Sequence, residues 1–115
     1  MDSNSIISKT ATELSGDLES GACKAEEIAQ AYLERIDRVD GKVHAFLHRD
    51  DEDFLDQARA SDERRAKGET LGPMDGIPVC LKDVISVEGQ PLTAASKILK
   101  DYVLLFLDHI LNFHI

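Results

Sequence analysis

The sequence predicts an α/β fold whose sheet is incomplete. Three stretches carry apolar residues at helical spacing. Two others alternate with a period of two. The second of these, Ile77 to Val84, is apolar on both faces, a pattern that belongs inside a sheet covered by layers on each side. Two or three strands cannot close such a layer, so the strands that would flank it must come from elsewhere.

The first helix is predicted from about Ser5 to Glu19, on the stripe Ile7, Ala11, Leu14 and Leu18, with Ser20-Gly21 as its break. A second runs from about Lys24 to Val39, with Ala25, Ile28, Ala29, Tyr32, Leu33 and Ile36 on one face and Gly41 as its stop. Glu26 and Glu27 at its start and Arg35 and Arg38 near its end suit the helix dipole. Cys23 stands where an N-capping Ser or Asp would be better, so a frayed first turn is expected.

Val43 to His48 alternates as a short strand. A third helix follows, from about Asp51 to Lys67, with acidic residues at its start, Arg64, Arg65 and Lys67 at its end and Gly68 beyond. Its apolar face, Phe54, Leu55, Ala58 and Ala66, is thin, which places it on the surface. Glu69 to Gly76 is a loop with two turns, one at Pro73 and one at Asp75-Gly76. After the strand Ile77 to Val84 comes a turn at Gly89-Gln90-Pro91. Ser96 then caps a short helix, Lys97 to Tyr102.

At 115 residues the chain is at most one domain. Its 13 basic and 22 acidic residues give a net charge of −9, which disfavours direct contact with nucleic-acid phosphates. Cys23 and Cys80 lie in unlike contexts and suggest no disulfide framework. The N-terminus has no secretory pattern. The apolar run at the C-terminus is shorter than the roughly 20 residues a membrane span needs. A reducing, cytoplasmic setting without membrane contact is the expectation.

Lys82 is the candidate for chemistry. Alternation puts Pro78, Cys80, Lys82 and Val84 on one face of the strand. Burial disfavours the charged ammonium, and a neutral lysine can take a proton from a serine hydroxyl. The bland alternative is a lysine near a strand end that snorkels to solvent or pairs with Asp83. Other candidates are weaker. Cys80 shares the face of Lys82, which would stabilise a thiolate, but a strand cysteine is more often a small core residue. His44 and His48 lack a third ligand for zinc. Asp50 to Asp53 lacks the glycine and terminal glutamate of a calcium loop. No phosphate-binding glycine loop supports a Schiff-base role for Lys82.

The run Gly72-Pro73-Met74-Asp75-Gly76-Ile77-Pro78-Val79-Cys80-Leu81-Lys82-Asp83-Val84-Ile85, followed by Glu88-Gly89-Gln90-Pro91-Leu92-Thr93-Ala94-Ala95-Ser96-Lys97-Ile98-Leu99, resembles the amidase signature family. Within that family the likeness is to the A subunits of aspartyl/glutamyl-tRNA amidotransferases, and Ala95 to Leu99 narrows it to them. Ala31-Tyr32-Leu33-Glu34-Arg35-Ile36 and Val43-His44-Ala45-Phe46 fit as well. The likeness covers about Ser5 to Tyr102, which is only the N-terminal part of a typical member. It implies the N-terminal fragment of the amidase signature fold, helices packed on a mixed sheet, over residues 1–102. Residues 103–115 form a divergent apolar tail, read as a truncated or frame-shifted end or, alternatively, a lineage-specific one.

The resemblance also implies a catalytic Ser–cis-Ser–Lys triad in which Lys82 matches the lysine. Neither serine has a match: Ser86 and Ser96 do not fit either serine's motif. The implied reaction is glutamine hydrolysis through an acyl-enzyme, with the ammonia passed on to amidate Glu or Asp on a mischarged tRNA. Glutamine is then the substrate, the amidotransferase B and C subunits are the partners, and tRNA is met through the complex. No cofactor falls to this chain; ATP and Mg belong to the partner subunit. Lacking the serines, the chain is expected to be inactive alone. The alternatives are a fragment of another amidase-signature amidohydrolase, a non-catalytic subunit-binding module, and a product that folds only in part.

Overall fold

A computed structural model of the chain describes residues 2–103. The divergent tail, apart from Val103, lies outside the described residues. The chain divides into two units, one running to Pro78 and the other beginning at Val79.

The first unit is helical. It contains α1 (Ser3–Ile7), α2 (Ala11–Ser20), α3 (Ala25–Val43) and α4 (Asp51–Ala66). α3 packs against both α1 and α4. Ile6, Leu14, Leu18, Cys23, Ala25, Ile28, Ala29, Ala31, Ala58 and Ile77 form the core, with Ile7, Tyr32, Phe54 and Leu55 packed against it. Each fully buried Ile or Leu contributes roughly 1.5–3 kcal/mol relative to exposure, so Ile6, Leu14, Leu18 and Ile28 dominate a small core.

The single first helix expected from Ser5 to Glu19 is instead two. Thr10 starts a new one: its Oγ1 accepts the Glu13 N–H at 3.3 Å, and Glu13 Oε2 accepts the Thr10 N–H at 2.8 Å. This reciprocal box satisfies two donors that a continuous helix would have bonded internally. α2 closes on Gly21, which takes the left-handed conformation at φ 73°.

The first turn of α3 is not frayed, because its cap comes from another helix. Asp62 of α4 accepts the N–H of Ala25 at 2.8 Å and that of Glu26 at 3.1 Å, and Glu27 Oε2 accepts the Lys24 N–H at 2.8 Å. α3 also continues past Gly41 to Val43, and the left-handed His44 ends it.

Val43 to His48 is therefore not a strand. Its first residue closes α3, the rest is loop, and Val43 and Leu47 are exposed. Arg49 spans this connection, donating to Asp37 at 2.8 Å and to Asp51 at 2.6 and 3.0 Å.

α4 matches its sequence signals at both ends. Asp50 caps it by accepting the Asp53 N–H at 3.0 Å, and Gly68 is left-handed beyond it.

The second unit is irregular over its described residues. Ile77 to Val84 forms no strand, and the mixed sheet expected of this chain is absent among the described residues. The one bridge there pairs Pro91 with Val103. The expected short helix is a single 3-10 turn, Lys97–Leu99, with Ser96 accepting the Ile98 N–H at 3.3 Å. The physical reason is the one that made the sheet incomplete in the first place: alternation provides a face to pack, whereas a ladder requires a neighbouring strand.

Candidate functional site

In the first unit the loop before the lysine motif is locked onto α4. Asp75 is buried, and Arg64 clasps its carboxylate through Nη2 at 2.7 Å and Nε at 3.1 Å. The Leu71 N–H adds a third donor at 3.0 Å, while Arg65 Nη2 donates to the Asp75 carbonyl at 3.0 Å. The Arg64 guanidinium holds the Asp75 carboxyl down at about 2, with help from the Leu71 N–H and against the effect of burial.

Next to this lock, Gly76 passes close to the core at φ 93°. A Cβ there would lie 2.8 Å from the hydroxyl of buried Ser61, 3.0 Å from the Ala25 Cβ and 3.2 Å from Leu18. Only glycine fits both the conformation and the space. Ile77 then enters the core.

The second unit carries Lys82. The side chain is exposed, and among the described residues it makes no hydrogen bond or ion pair. The expected desolvation within a sheet is not realised, since no strand lies beside it.

The neighbouring Asp83 is not paired with Lys82 either. Its Oδ1 accepts the Thr93 N–H at 2.8 Å, its Oδ2 takes a short hydrogen bond from the Thr93 hydroxyl, and its carbonyl accepts the Ala94 N–H at 3.0 Å. These bonds to Thr93 lower the Asp83 carboxyl from its ordinary value. The clamp joins the two halves of the motif run and brings Ala94 and Ala95, at φ 46° and 58°, through the left-handed region.

Cys80, expected inside an apolar strand, is exposed. Cys23 is buried, and desolvation pushes its thiol up, away from the thiolate. His44 ends α3 and His48 is exposed; among the described residues no group of three His, Cys, Asp or Glu side chains could hold a metal. The acidic run is the start of α4. No described helix is long and apolar enough to cross a membrane.

Sequence reasoning misses the Arg64–Asp75 lock and the Asp83–Thr93 clamp. It places Asp75 in a turn and Arg64 at the negative end of a helix dipole, and both signals are correct as far as they go. An unlike pair with a loop between has no periodicity to reveal it. Asp83 enters the sequence reading only as a partner of Lys82.

The family model described as Amidase matches residues 27–106. The A subunit of the glutamyl-tRNA(Gln) amidotransferase from Streptomyces avermitilis is 51% identical over 98 residues, 85% of this chain and 20% of that protein. The protein of the same name from Salinispora tropica is 53% identical over 97 residues, 84% of this chain and 20% of its own length. That of Fusobacterium nucleatum is 42% identical over 100 residues, 87% and 20% respectively. The chain thus spans about one-fifth of the curated relatives it matches. No solved structure matches it. A family match that takes in the Asp75–Gly76 turn, Lys82 and the Asp83–Thr93 clamp together shows that this chain belongs to the amidase family.

Proposed function

We propose that this chain supplies the N-terminal portion of the glutamine-hydrolysing subunit of a tRNA-dependent amidotransferase, with Lys82 as its base. The observation that carries the reading is the identity of about half the residues with proteins named as amidotransferase A subunits, across the segment that holds Lys82.

In this reading a serine from outside the described residues attacks the carboxamide carbon of glutamine. Its proton passes by way of a second serine to Lys82 Nζ. Lys82 then returns a proton as the C–N bond breaks, so ammonia leaves and a glutamyl ester remains. Water hydrolyses the ester to glutamate. The ammonia serves amidation of Glu or Asp carried on tRNA at a partner B subunit, where ATP and Mg act; a C subunit completes the complex. The setting is the cytoplasm. Lys82 is exposed in the free chain, and the desolvation a lysine base needs comes from the polypeptide that completes the sheet.

The test is glutamine hydrolysis by the chain alone and by the chain joined to the rest of an A subunit. The chain alone is expected to be inactive. In the completed protein, Lys82→Ala lowers kcat by about 10²–10⁴ without loss of folding. Turnover unchanged by Lys82→Ala would refute the base assignment, and Lys82-dependent hydrolysis by the isolated chain would refute the need for outside serines.

A further inference from the structure

We propose that Asp83 and Thr93 are positioning residues for the Lys82 base. Their side chains fasten the main chain at the lysine to the segment from Leu92 to Tyr102, and they keep the neighbouring carboxylate from pairing with the amine. The proposal rests on the functional reading above, because that reading makes Lys82 the base.

Three observations carry it. The first is where Lys82 is held. Its side chain is exposed and makes no hydrogen bond or ion pair among the described residues. On so flexible a stem, the reach of the amine is set by the main chain that carries it. The Lys82 carbonyl accepts the Ile85 N–H at 2.9 Å and closes a turn over Asp83 and Val84. Asp83 then grips the far segment through three acceptors. Its Oδ1 takes the Thr93 N–H at 2.8 Å, its Oδ2 the Thr93 hydroxyl, and its carbonyl the Ala94 N–H at 3.0 Å.

The second is that the far segment is itself framed. The Thr93 carbonyl accepts the Ser96 N–H at 2.8 Å, and the Leu92 N–H donates to the Tyr102 carbonyl at 3.1 Å. Ala94 and Ala95 between them sit at φ 46° and 58°, a region that residues with a Cβ rarely adopt. Such outliers persist where the surroundings over-determine them, and they cluster at functional sites.

The third is charge. A free carboxylate beside Lys82 would favour the charged ammonium, the form that cannot accept a proton. Both Asp83 oxygens are committed to Thr93 instead, and Asp83 makes no ion pair among the described residues.

The experiment has two arms. In the 115-residue chain, NMR relaxation reads the backbone order parameter at Lys82. It is expected to fall from about 0.85 to below about 0.6 in Asp83→Ala and in Thr93→Val. In the chain joined to the rest of an A subunit, Thr93→Val should lower kcat for glutamine hydrolysis by about 10–100-fold with KM unchanged. Thr93→Ser, which keeps the hydroxyl, should recover most of that loss. Lys82→Ala combined with Thr93→Val should be no slower than Lys82→Ala alone, since Thr93 acts through the lysine.

An order parameter that stays high in the variants, or is already low in the unsubstituted chain, overturns the proposal. So does a loss from Thr93→Val that adds in full to that from Lys82→Ala, because a merely structural role behaves in that way. The functional reading is judged separately. A kcat lowered by Lys82→Ala but not by Thr93→Val sinks the positioning role and leaves the base standing, whereas a kcat indifferent to Lys82→Ala sinks both.

Discussion

Arg64 near the end of α4 grips Asp75 through two guanidinium nitrogens, at 2.7 and 3.1 Å. The pair fastens the loop that precedes the lysine motif to a helix that would otherwise present only a thin apolar face. The carboxylate is almost wholly buried, with its side chain 3% exposed, against 27% for that of Arg64. Two-nitrogen contact sets direction as well as distance, so the lock orients the turn.

Removing one partner of this pair should be costly. Asp75→Ala strands the guanidinium and leaves the Leu71 N–H without its acceptor. The expected loss is about 2–3 kcal/mol, below the range for a fully buried pair because Arg64 is partly exposed. Urea unfolding measures it. A loss under about 0.5 kcal/mol would mean that the loop is held by other contacts.

The same pair makes stability depend on acid. The folded-state carboxyl of Asp75 lies at about 2, below its ordinary value of 3.8. A depressed carboxyl contributes stability that is fully present above about pH 4 and is lost as pH falls toward 2. Denaturation midpoints taken from pH 6 down to pH 2 should therefore drop below pH 4, and the drop should be shallower in Asp75→Asn. Parallel profiles for the two proteins would remove Asp75 from the acid response.

Asp62→Ala should loosen α3 at its start. Asp62 accepts the N–H groups of both Ala25 and Glu26, the role a capping residue plays within its own helix. A cost of about 1–2 kcal/mol is expected, with faster amide exchange at Ala25 and Glu26 than elsewhere in α3. Equal exchange in the two proteins would show that Glu27 alone suffices as the cap.

Gly76→Ala should destabilise the first unit by about 2 kcal/mol or more. It places a methyl 2.8 Å from the Ser61 hydroxyl at a φ of 93°. Adding Ser61→Ala removes the nearest clash but neither the Ala25 contact nor the backbone strain, so recovery should be partial. Complete recovery would mean that the clash with Ser61 was the entire cost, and no loss at all would mean that the backbone relaxes freely there.

The elements legible in the sequence are those whose instructions are local. α4 is bounded to within a residue because Asp50 and Gly68 sit at its ends. The division between α1 and α2 is equally local, in Thr10 and Glu13, but the apolar stripe runs on through it and hides it. The Ser96 cap is legible in the same way, although the helix it begins is a single turn. The start of α3 is not legible, because its cap stands 37 residues away in sequence.

By itself, then, the amino-acid order determined the helical stripes, the local caps, the amidase likeness and Lys82 as the residue to test. Caps, turns and stripes are short-range, and their chemistry is complete within a few positions. Tertiary structure alone decided that Asp62 would cap α3, that Arg64 would lock Asp75 and that Asp83 would turn to Thr93. It also decided that Ile77 to Val84 would remain without a ladder. A strand's hydrogen bonds are made only to another strand, so its alternating residues prepare a surface and the neighbour determines whether a sheet forms.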